Sequence, residues 1–145
     1  MAFIRLALDT HADLVLTPEY SFSVEVLESI MSTPELWPAK GALWCLGTQG
    51  IEKVEFGTRM ENWKKRLKKV RVIDYAYSTL LNRSFVDPLF YLFRLDDDQL
   101  CVLPQFKTCH MSDYWSDYEG AYLSTGEVVY LFDLSGTVQD HNYFL

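Results

Sequence analysis

The sequence has no apolar run of about 18 residues, so it predicts no membrane-spanning helix. Residues 1–13 lack a basic segment followed by a long apolar stretch, which argues against a secretory signal. Cysteine is scarce: only Cys45, Cys101 and Cys109 occur, and their spacing matches neither a disulfide framework nor a zinc site. These absences predict a protein of the reducing cytoplasm that has no contact with a membrane.

Positive charge is also in short supply. Lys and Arg number 13 against 20 Asp and Glu, which gives a net charge of -7. Nucleic-acid binding needs net or local positive charge, so this balance argues against a dedicated nucleic-acid-binding protein. The only hint of one is the predicted basic helix 64–71, which carries Lys64, Lys65, Lys68 and Lys69. We interpret it as a solvated helix face, with binding of nucleic acid or an acidic partner as the alternative.

Apolar side chains, in contrast, are plentiful. They make up 49% of the 145 residues, and 15% of all residues are aromatic, which is ample for a packed core. The length is that of one domain, and the chain contains no internal repeat, low-complexity tract or linker. The sequence therefore predicts a single domain over residues 1–145.

The first part of the chain predicts helices that alternate with strands. A short helix is expected at 3–11 and a buried strand at 14–17. Ser23 is a suitable N-cap for the next helix, which Pro34 and Pro38 end.

A second buried strand, residues 42–47, precedes the clearest helical pattern. Apolar residues recur there at spacings of four and three, which is the period of one helix face. This apolar stripe consists of Phe56, Met60, Trp63, Leu67 and Val70. The pattern predicts a helix that continues to residue 70.

After residue 70 the pattern changes to short apolar runs separated by turn-forming residues. Four such runs are typical of strands: 70–77, 89–95, 99–106 and 127–134. Helices therefore alternate with strands early, and strands dominate later. This order predicts an α/β fold.

Two charged side chains come directly after predicted buried strands. Glu19 follows the strand at 14–17, and Lys107 follows the strand at 99–106. Ligands in α/β folds bind at the carboxyl ends of strands. Partial burial would raise the pKa of Glu19 and suit it to proton transfer, and Lys107 could stabilise an oxyanion. The alternatives are a surface turn for Glu19 and a solvated lysine for Lys107.

The cysteines give weaker signals. Cys109 and His110 are adjacent on an extended segment, so their side chains should point to opposite faces and form a poor catalytic pair. With Asp113 they resemble a metal site only loosely, and we expect neither metal nor cofactor. Cys45 and Cys101 lie within apolar strands and are expected to be inert core thiols.

Four segments occur in an order that resembles the carbon-nitrogen hydrolase (nitrilase) superfamily. They are "ADLVLTPEYSF", "KGALWCLGTQGI", "VLPQFKTCHMSDY" and "EGAYLSTGEVVYLFD". In that family a strand ends in Pro-Glu, a second strand closes with Gly, a later strand ends in Lys, and a Glu then precedes a Gly turn. The resemblance extends from about Phe3 to Gly136.

The resemblance implies a fold and a chemistry. The fold is an α-β-β-α sandwich, of which this chain would form part: a mixed sheet with helices on one face. Glu19 looks like the general base, Lys107 like the cation that stabilises the tetrahedral intermediate, and Glu119 like an assisting carboxylate. The substrate would be a small-molecule amide or nitrile, attacked by a cysteine thiolate. Tyr20, Phe22 and Trp115 would line an acyl pocket or pack in the core.

The chain departs from the family pattern at the nucleophile. The family places its cysteine one strand and one turn beyond the second Glu, whereas no cysteine follows Cys109 in these 145 residues. The resemblance thus implies the N-terminal half of a nitrilase-like domain, inactive alone, whose apolar face has to be covered by a partner chain, by self-association or by a rearranged compact form of the chain. The alternative is a non-catalytic α/β binding or interaction module in a larger assembly.

Overall fold

The computed structural model describes residues 2–94, 98–110 and 117–132. Its helices and strands are α1 (Ala2–Asp9), β1 (Leu14–Leu16), α2 (Val24–Ser32), a 3-10 turn (Pro34–Leu36), β2 (Leu43–Gly47), β3 (Ile51–Glu52), α3 (Lys53–Arg66), β4 (Val70–Val72), α4 (Tyr75–Ser78), β5 (Phe85–Val86), β6 (Pro88–Arg94), β7 (Leu100–Phe106) and α5 (Asp117–Tyr122). None of the described helices has the length and apolar character needed to cross a membrane.

Five strands form the main sheet, in the order β1-β2-β6-β7-β4. β1 pairs parallel with β2, and β4 pairs parallel with β7. β6 lies between β2 and β7 and is antiparallel to both. A separate antiparallel pair joins β3 to β5. The predicted α/β class with a mixed sheet is therefore confirmed.

The strand register assigns alternate residues to two faces of the main sheet, because residues paired across strands point the same way. One face, which we call the helix-side face, is buried against helical residues. It carries Val15, Trp44, Leu46, Val70, Phe90, Leu92, Leu100, Val102 and Phe106. Buried residues of α1, α2, α3 and α4 join the same hydrophobic core. These four helices therefore cover one face of the sheet.

The opposite face of the sheet is also mainly apolar. It carries Leu14, Leu16, Leu43, Cys45, Tyr91, Phe93, Cys101 and Leu103. Phe132 packs against it, with its ring centroid 4.7 Å from that of Tyr91 and 5.9 Å from that of Phe93. On the edge strand β1, by contrast, Leu14 and Leu16 are exposed.

Local signals explain α2 well. The Ser23 hydroxyl accepts a hydrogen bond from the Val26 amide, which satisfies one of the free N–H groups at the helix start. After the helix, the Trp37 indole donates to the Ile30 carbonyl at 3.0 Å and fixes the 3-10 turn that begins at Pro34. The predicted N-cap is confirmed, and the helix ends before Pro34 as expected.

The third helix is shorter than the apolar stripe predicts. Its buried residues Phe56, Met60 and Trp63 lie on one face, but α3 ends at Arg66. Val70 is the first residue of β4 and pairs with Leu100 of β7. The predicted continuation of the helix to residue 70 is therefore wrong. Val70 is apolar because it is buried in the core as part of a strand, and not because it lies on the face of α3.

Two predicted strands also need correction. The strand at 70–77 stops at Val72, and α4 follows over Tyr75–Ser78. In the predicted strand at 127–134, residues 127–132 form neither strand nor helix, and 133–134 lie outside the described residues. Val128 and Tyr130 nevertheless pack against the core, which explains why this segment is apolar.

Candidate functional site

Polar side chains from several strands meet at one edge of the main sheet. β1, β2 and β7 run in the same direction, so their carboxyl ends lie together, and β6 starts at that edge. Glu19, Thr48 and Lys107 come shortly after these three strands, and Asp87 directly precedes β6. All four residues line an open cleft of about 630 Å³. This is the location that the sequence predicts for a ligand site.

Lys107 lies at the centre of a cluster of carboxylates. Its Nζ atom is 3.1 Å from Glu19 Oε2, 3.1 Å from Glu119 Oε1 and 3.5 Å from Asp87 Oδ2. The side chains of Lys107 and Glu119 are each 14% exposed, that of Asp87 only 4%, and that of Glu19 59%. Thus the three residues that the sequence singles out, Glu19, Lys107 and Glu119, do come together in space.

The environment keeps Lys107 charged. Burial acts to lower the pKa of its ammonium group, but the hydrogen bonds to Glu119 and Glu19 outweigh it, and the pKa is raised well above its ordinary value. A fixed ammonium beside a solvent-accessible cleft is suited to stabilising negative charge that develops on a bound oxygen or nitrogen.

A glycine allows the segment that carries Glu19 to approach the sheet. A Cβ atom on Gly47 would lie 2.2 Å from the Pro18 carbonyl oxygen, so no other residue fits without a shift. The Gly47 amide donates to Thr17 Oγ1 at 2.9 Å, and the Tyr20 amide donates to the Thr48 carbonyl at 3.3 Å. The end of β2 thereby holds the turn that follows β1.

Glu119 reaches the site from a helix that the sequence analysis does not predict. It lies in α5, Asp117–Tyr122. The Ser84 amide donates to the Tyr122 carbonyl at 3.0 Å, and the Tyr118 ring stacks on Phe85 with centroids 5.5 Å apart. These contacts attach α5 to the segment before β5 and place the Glu119 side chain against Lys107.

Asp87 is the main site residue that the sequence analysis missed. Its Oδ2 accepts a hydrogen bond of 2.7 Å from the Tyr20 hydroxyl, and Lys107 lies on the same side. Its Oδ1 has no hydrogen-bond partner among the described residues. A signal was present in "FVDPLF", where a carboxylate followed by proline interrupts an apolar run. A charge in such a run is rarely buried without a partner.

Of the two described aromatic residues suggested for an acyl pocket, Tyr20 lies beside the charged cluster and Phe22 does not. Lys107 Nζ is 5.9 Å from the centre of the Tyr20 ring. Burial and the hydrogen bond to Asp87 raise the pKa of the Tyr20 hydroxyl to about 12, so it remains a donor at neutral pH. Phe22 instead packs on Phe3 and against the core, and Trp115 lies outside the described residues.

The cysteines differ sharply in environment. Cys45 and Cys101 are buried on the opposite face of the sheet, and burial raises the pKa of each thiol to about 11. Cys109 is exposed, and both Cys109 and His110 line the cleft. Among the described residues, no three His, Cys, Asp or Glu side chains are arranged so that they could hold a metal ion, and Asp113 lies outside those residues.

The basic segment does not form a single helix face. Because α3 ends at Arg66, Lys68 and Lys69 lie beyond it, and the predicted basic helix 64–71 is wrong. Lys64 is bound to Glu61 at 3.0 Å and to Asp74 at 2.6 Å. Part of the positive charge is therefore neutralised within the described structure.

No protein-family profile, curated protein or solved structure matches this chain significantly. The interpretation of the cleft therefore depends on its own geometry and on the motifs in the sequence.

Proposed function

We propose that this chain carries the Glu–Lys–Glu portion of a nitrilase-like site that hydrolyses a non-peptide C–N bond in a small amide or nitrile. The observation that carries the proposal is the placement of Lys107 Nζ at 3.1 Å from both Glu19 and Glu119. A general base beside a buried cation suits acyl transfer to a thiol, because the base accepts the thiol proton and the cation stabilises the negative charge that develops on the substrate.

Each residue has a role in the proposed reaction. Glu19 accepts the proton of a cysteine thiol, and the sulfur forms a bond to the substrate carbon. Lys107 stabilises the negative charge on the substrate oxygen, and Glu119 holds the ammonium in place. When the C–N bond of an amide breaks, Glu19 returns its proton to the leaving nitrogen. Glu19 then takes a proton from the water that attacks the acyl-enzyme and passes it to the cysteine sulfur as the C–S bond breaks. With a nitrile, the substrate nitrogen carries the negative charge and takes up the proton, and one further water releases it as ammonia before the acyl-enzyme is hydrolysed.

The main sheet has one open edge at which another chain can add. Helices cover one face, and on the other, mainly apolar face Leu43, Cys45, Cys101 and Leu103 are already buried within this chain. Leu14 and Leu16 on the edge strand β1 are exposed instead. In the proposed assembly a second copy or a partner chain therefore adds at β1.

The proposal also requires a nucleophile from outside the described residues. Cys45 and Cys101 are buried on the opposite face of the sheet. Cys109 is exposed on the cleft, but it precedes Glu119, whereas the nitrilase pattern that the sequence resembles places its nucleophile after that residue. We therefore propose that the reactive cysteine is encoded beyond these 145 residues or is supplied by a partner, and that the chain is inactive alone.

The first experiment is to read the coding sequence on both sides of this chain and to express the whole encoded polypeptide. Ammonia release from a panel of small amides and nitriles then measures hydrolysis. We expect a strand followed by a cysteine, and turnover that Glu19→Gln and Lys107→Met reduce by about 100-fold or more. Glu35→Gln, at an exposed glutamate in the 3-10 turn and outside the cleft, is the control.

Two results would contradict the proposal. One is a reading frame without such a cysteine, in a protein that recruits no partner with one. The other is turnover that survives Lys107→Met. The first result would favour the alternative, a non-catalytic α/β binding module, for which the burial of Cys45 and Cys101 away from the cleft is the supporting observation.

A further inference from the structure

Two residues beside Lys107 have no role in the proposed hydrolysis, yet they connect separate parts of the site. Tyr20 follows Glu19 directly, and Asp87 precedes β6. The 2.7 Å hydrogen bond from the Tyr20 hydroxyl to Asp87 Oδ2 joins residues that are 67 positions apart in the sequence. The bond therefore ties the turn after β1 to the start of β6.

The backbone of Tyr20 shows that this turn is held in place. Its φ angle is 60°, a left-handed conformation that tyrosine rarely adopts. Two contacts stabilise it: the amide donates to the Thr48 carbonyl at 3.3 Å, and the hydroxyl donates to Asp87. Because Glu19 directly precedes Tyr20, a fixed Tyr20 backbone also restricts the backbone of Glu19 and thereby the direction of its side chain.

Asp87 acts on Lys107 through charge. Its side chain is 4% exposed, and its Oδ2 atom lies 3.5 Å from Lys107 Nζ. A buried carboxylate attracts an ammonium group more strongly than an exposed one, because less water screens the charges. Since Pro88 follows Asp87 and begins β6, the sheet restricts where this carboxylate can move.

We propose that Tyr20 and Asp87 form a positioning pair that holds the Lys107 ammonium between Glu19 and Glu119. Tyr20 fixes the turn that carries Glu19, and Asp87 supplies a third carboxylate that limits the movement of Lys107. The pair is not part of the bond-making chemistry. As a feature of a hydrolase this inference rests on the proposed function, but the ordering of Lys107 can be measured without turnover.

The test measures the mobility of the Lys107 ammonium group by ¹⁵N relaxation and by its proton exchange with water. The variants are Tyr20→Phe, which removes one oxygen atom, and Asp87→Asn, which keeps the shape and removes the charge. We expect a lower order parameter at Lys107 Nζ and proton exchange that is about fivefold faster in each variant. Tyr77→Phe, which removes a hydroxyl that donates to the Lys53 carbonyl, should leave Lys107 unchanged.

Backbone amide spectra separate a loss of positioning from a loss of fold. If Asp87→Asn fails to fold, Tyr20→Phe still tests the proposal. This variant keeps the aromatic ring and removes only the hydroxyl, so we expect it to fold. Unchanged mobility of Lys107 in Tyr20→Phe, with or without a folded Asp87→Asn protein, would overturn the proposal. This test is independent of ammonia release. The chain can lack hydrolytic activity while Tyr20 and Asp87 still order Lys107, and hydrolysis can be found while Lys107 is equally mobile in the variants.

Discussion

Lys107 Nζ lies 3.1 Å from Glu19 Oε2, although Glu19 follows β1 and Lys107 follows β7, the first and last strands of the main sheet in chain order. They meet because β1 and β7 run in the same direction, so that both carboxyl ends open on the same cleft. Glu119 joins them from α5, beyond β7 in the chain. A site of this kind is assembled by sheet topology.

Replacement of Lys107 should destabilise the fold in a pH-dependent way. The pKa of Lys107 is raised above its ordinary value of 10.5, so the folded state holds this proton more tightly than the unfolded state. The stabilisation is therefore complete below about pH 10.5 and is lost as the pH rises through the folded-state pKa. At about pH 8, Lys107→Met should lower the free energy of unfolding by about 1–3 kcal/mol, measured in urea.

The same measurement at higher pH provides the check. The difference between the wild type and Lys107→Met should narrow as the pH is raised above about 10.5. Lys68→Met is the control, since Lys68 is exposed and lies outside the cleft. A difference that stays constant with pH would mean that the charge of Lys107 does not contribute to stability.

Gly47→Ala should disturb the turn that carries Glu19. The added Cβ atom would lie 2.2 Å from the Pro18 carbonyl oxygen. Neither residue can shift easily, because Gly47 belongs to β2 and the turn that contains Pro18 is hydrogen-bonded to the end of that strand. We expect a loss of about 1–3 kcal/mol in unfolding free energy, with amide shifts centred on Glu19 and Tyr20. Gly126→Ala is the matched control, because its Cβ atom would come no closer than 3.4 Å to any neighbour. Equal effects of the two changes would count against the close approach.

Alkylation of the native protein should select a single cysteine. Cys109 is exposed, whereas burial raises the pKa of the Cys45 and Cys101 thiols to about 11 and so keeps them protonated at about pH 8. Iodoacetamide followed by peptide mass spectrometry should label Cys109 first and the other two only after denaturation. Comparable labelling of all three in the native protein would contradict the buried positions of β2 and β7.

The purified chain should associate. Leu14 and Leu16 are exposed on the edge strand β1, and an open apolar edge invites pairing with another chain. Light scattering at micromolar concentration should give a mass above the 16.9 kDa of one chain. Leu16→Lys should shift the mass towards the monomer, whereas Leu6→Lys on α1 should not. A sharp monomeric peak for the wild type would remove the need for self-association.

The sequence predicted best those elements whose cause is local. Ser23 caps α2 because its own hydroxyl reaches the first turn, and the predicted strands near 14–17, 42–47, 89–95 and 99–106 all occur with small shifts. The sequence-based prediction was wrong where a residue is buried by a partner that is distant in the sequence. Val70 continues a helical spacing yet lies in β4, because β7 is there to pair with it.

The candidate site shows the same division. Glu19 and Lys107 could be selected from the sequence because each follows an apolar strand, and Glu119 was selected through the resemblance alone. Asp87 could not be assigned a partner from the sequence, since the group that donates to its Oδ2 is the hydroxyl of Tyr20, 67 residues away. Pairing at that separation is a property of the sheet order and has no trace in local spacing.

By itself, the sequence determined the α/β class, most strand positions and the polar residues that follow two of those strands, because these depend on short-range periodicity, capping and turn chemistry. Only the tertiary structure decided where α3 ends, that Glu119 lies on a helix, and that Asp87 and Tyr20 stand beside Lys107. Those features depend on which strands become neighbours, and that order is fixed by burial of the whole core.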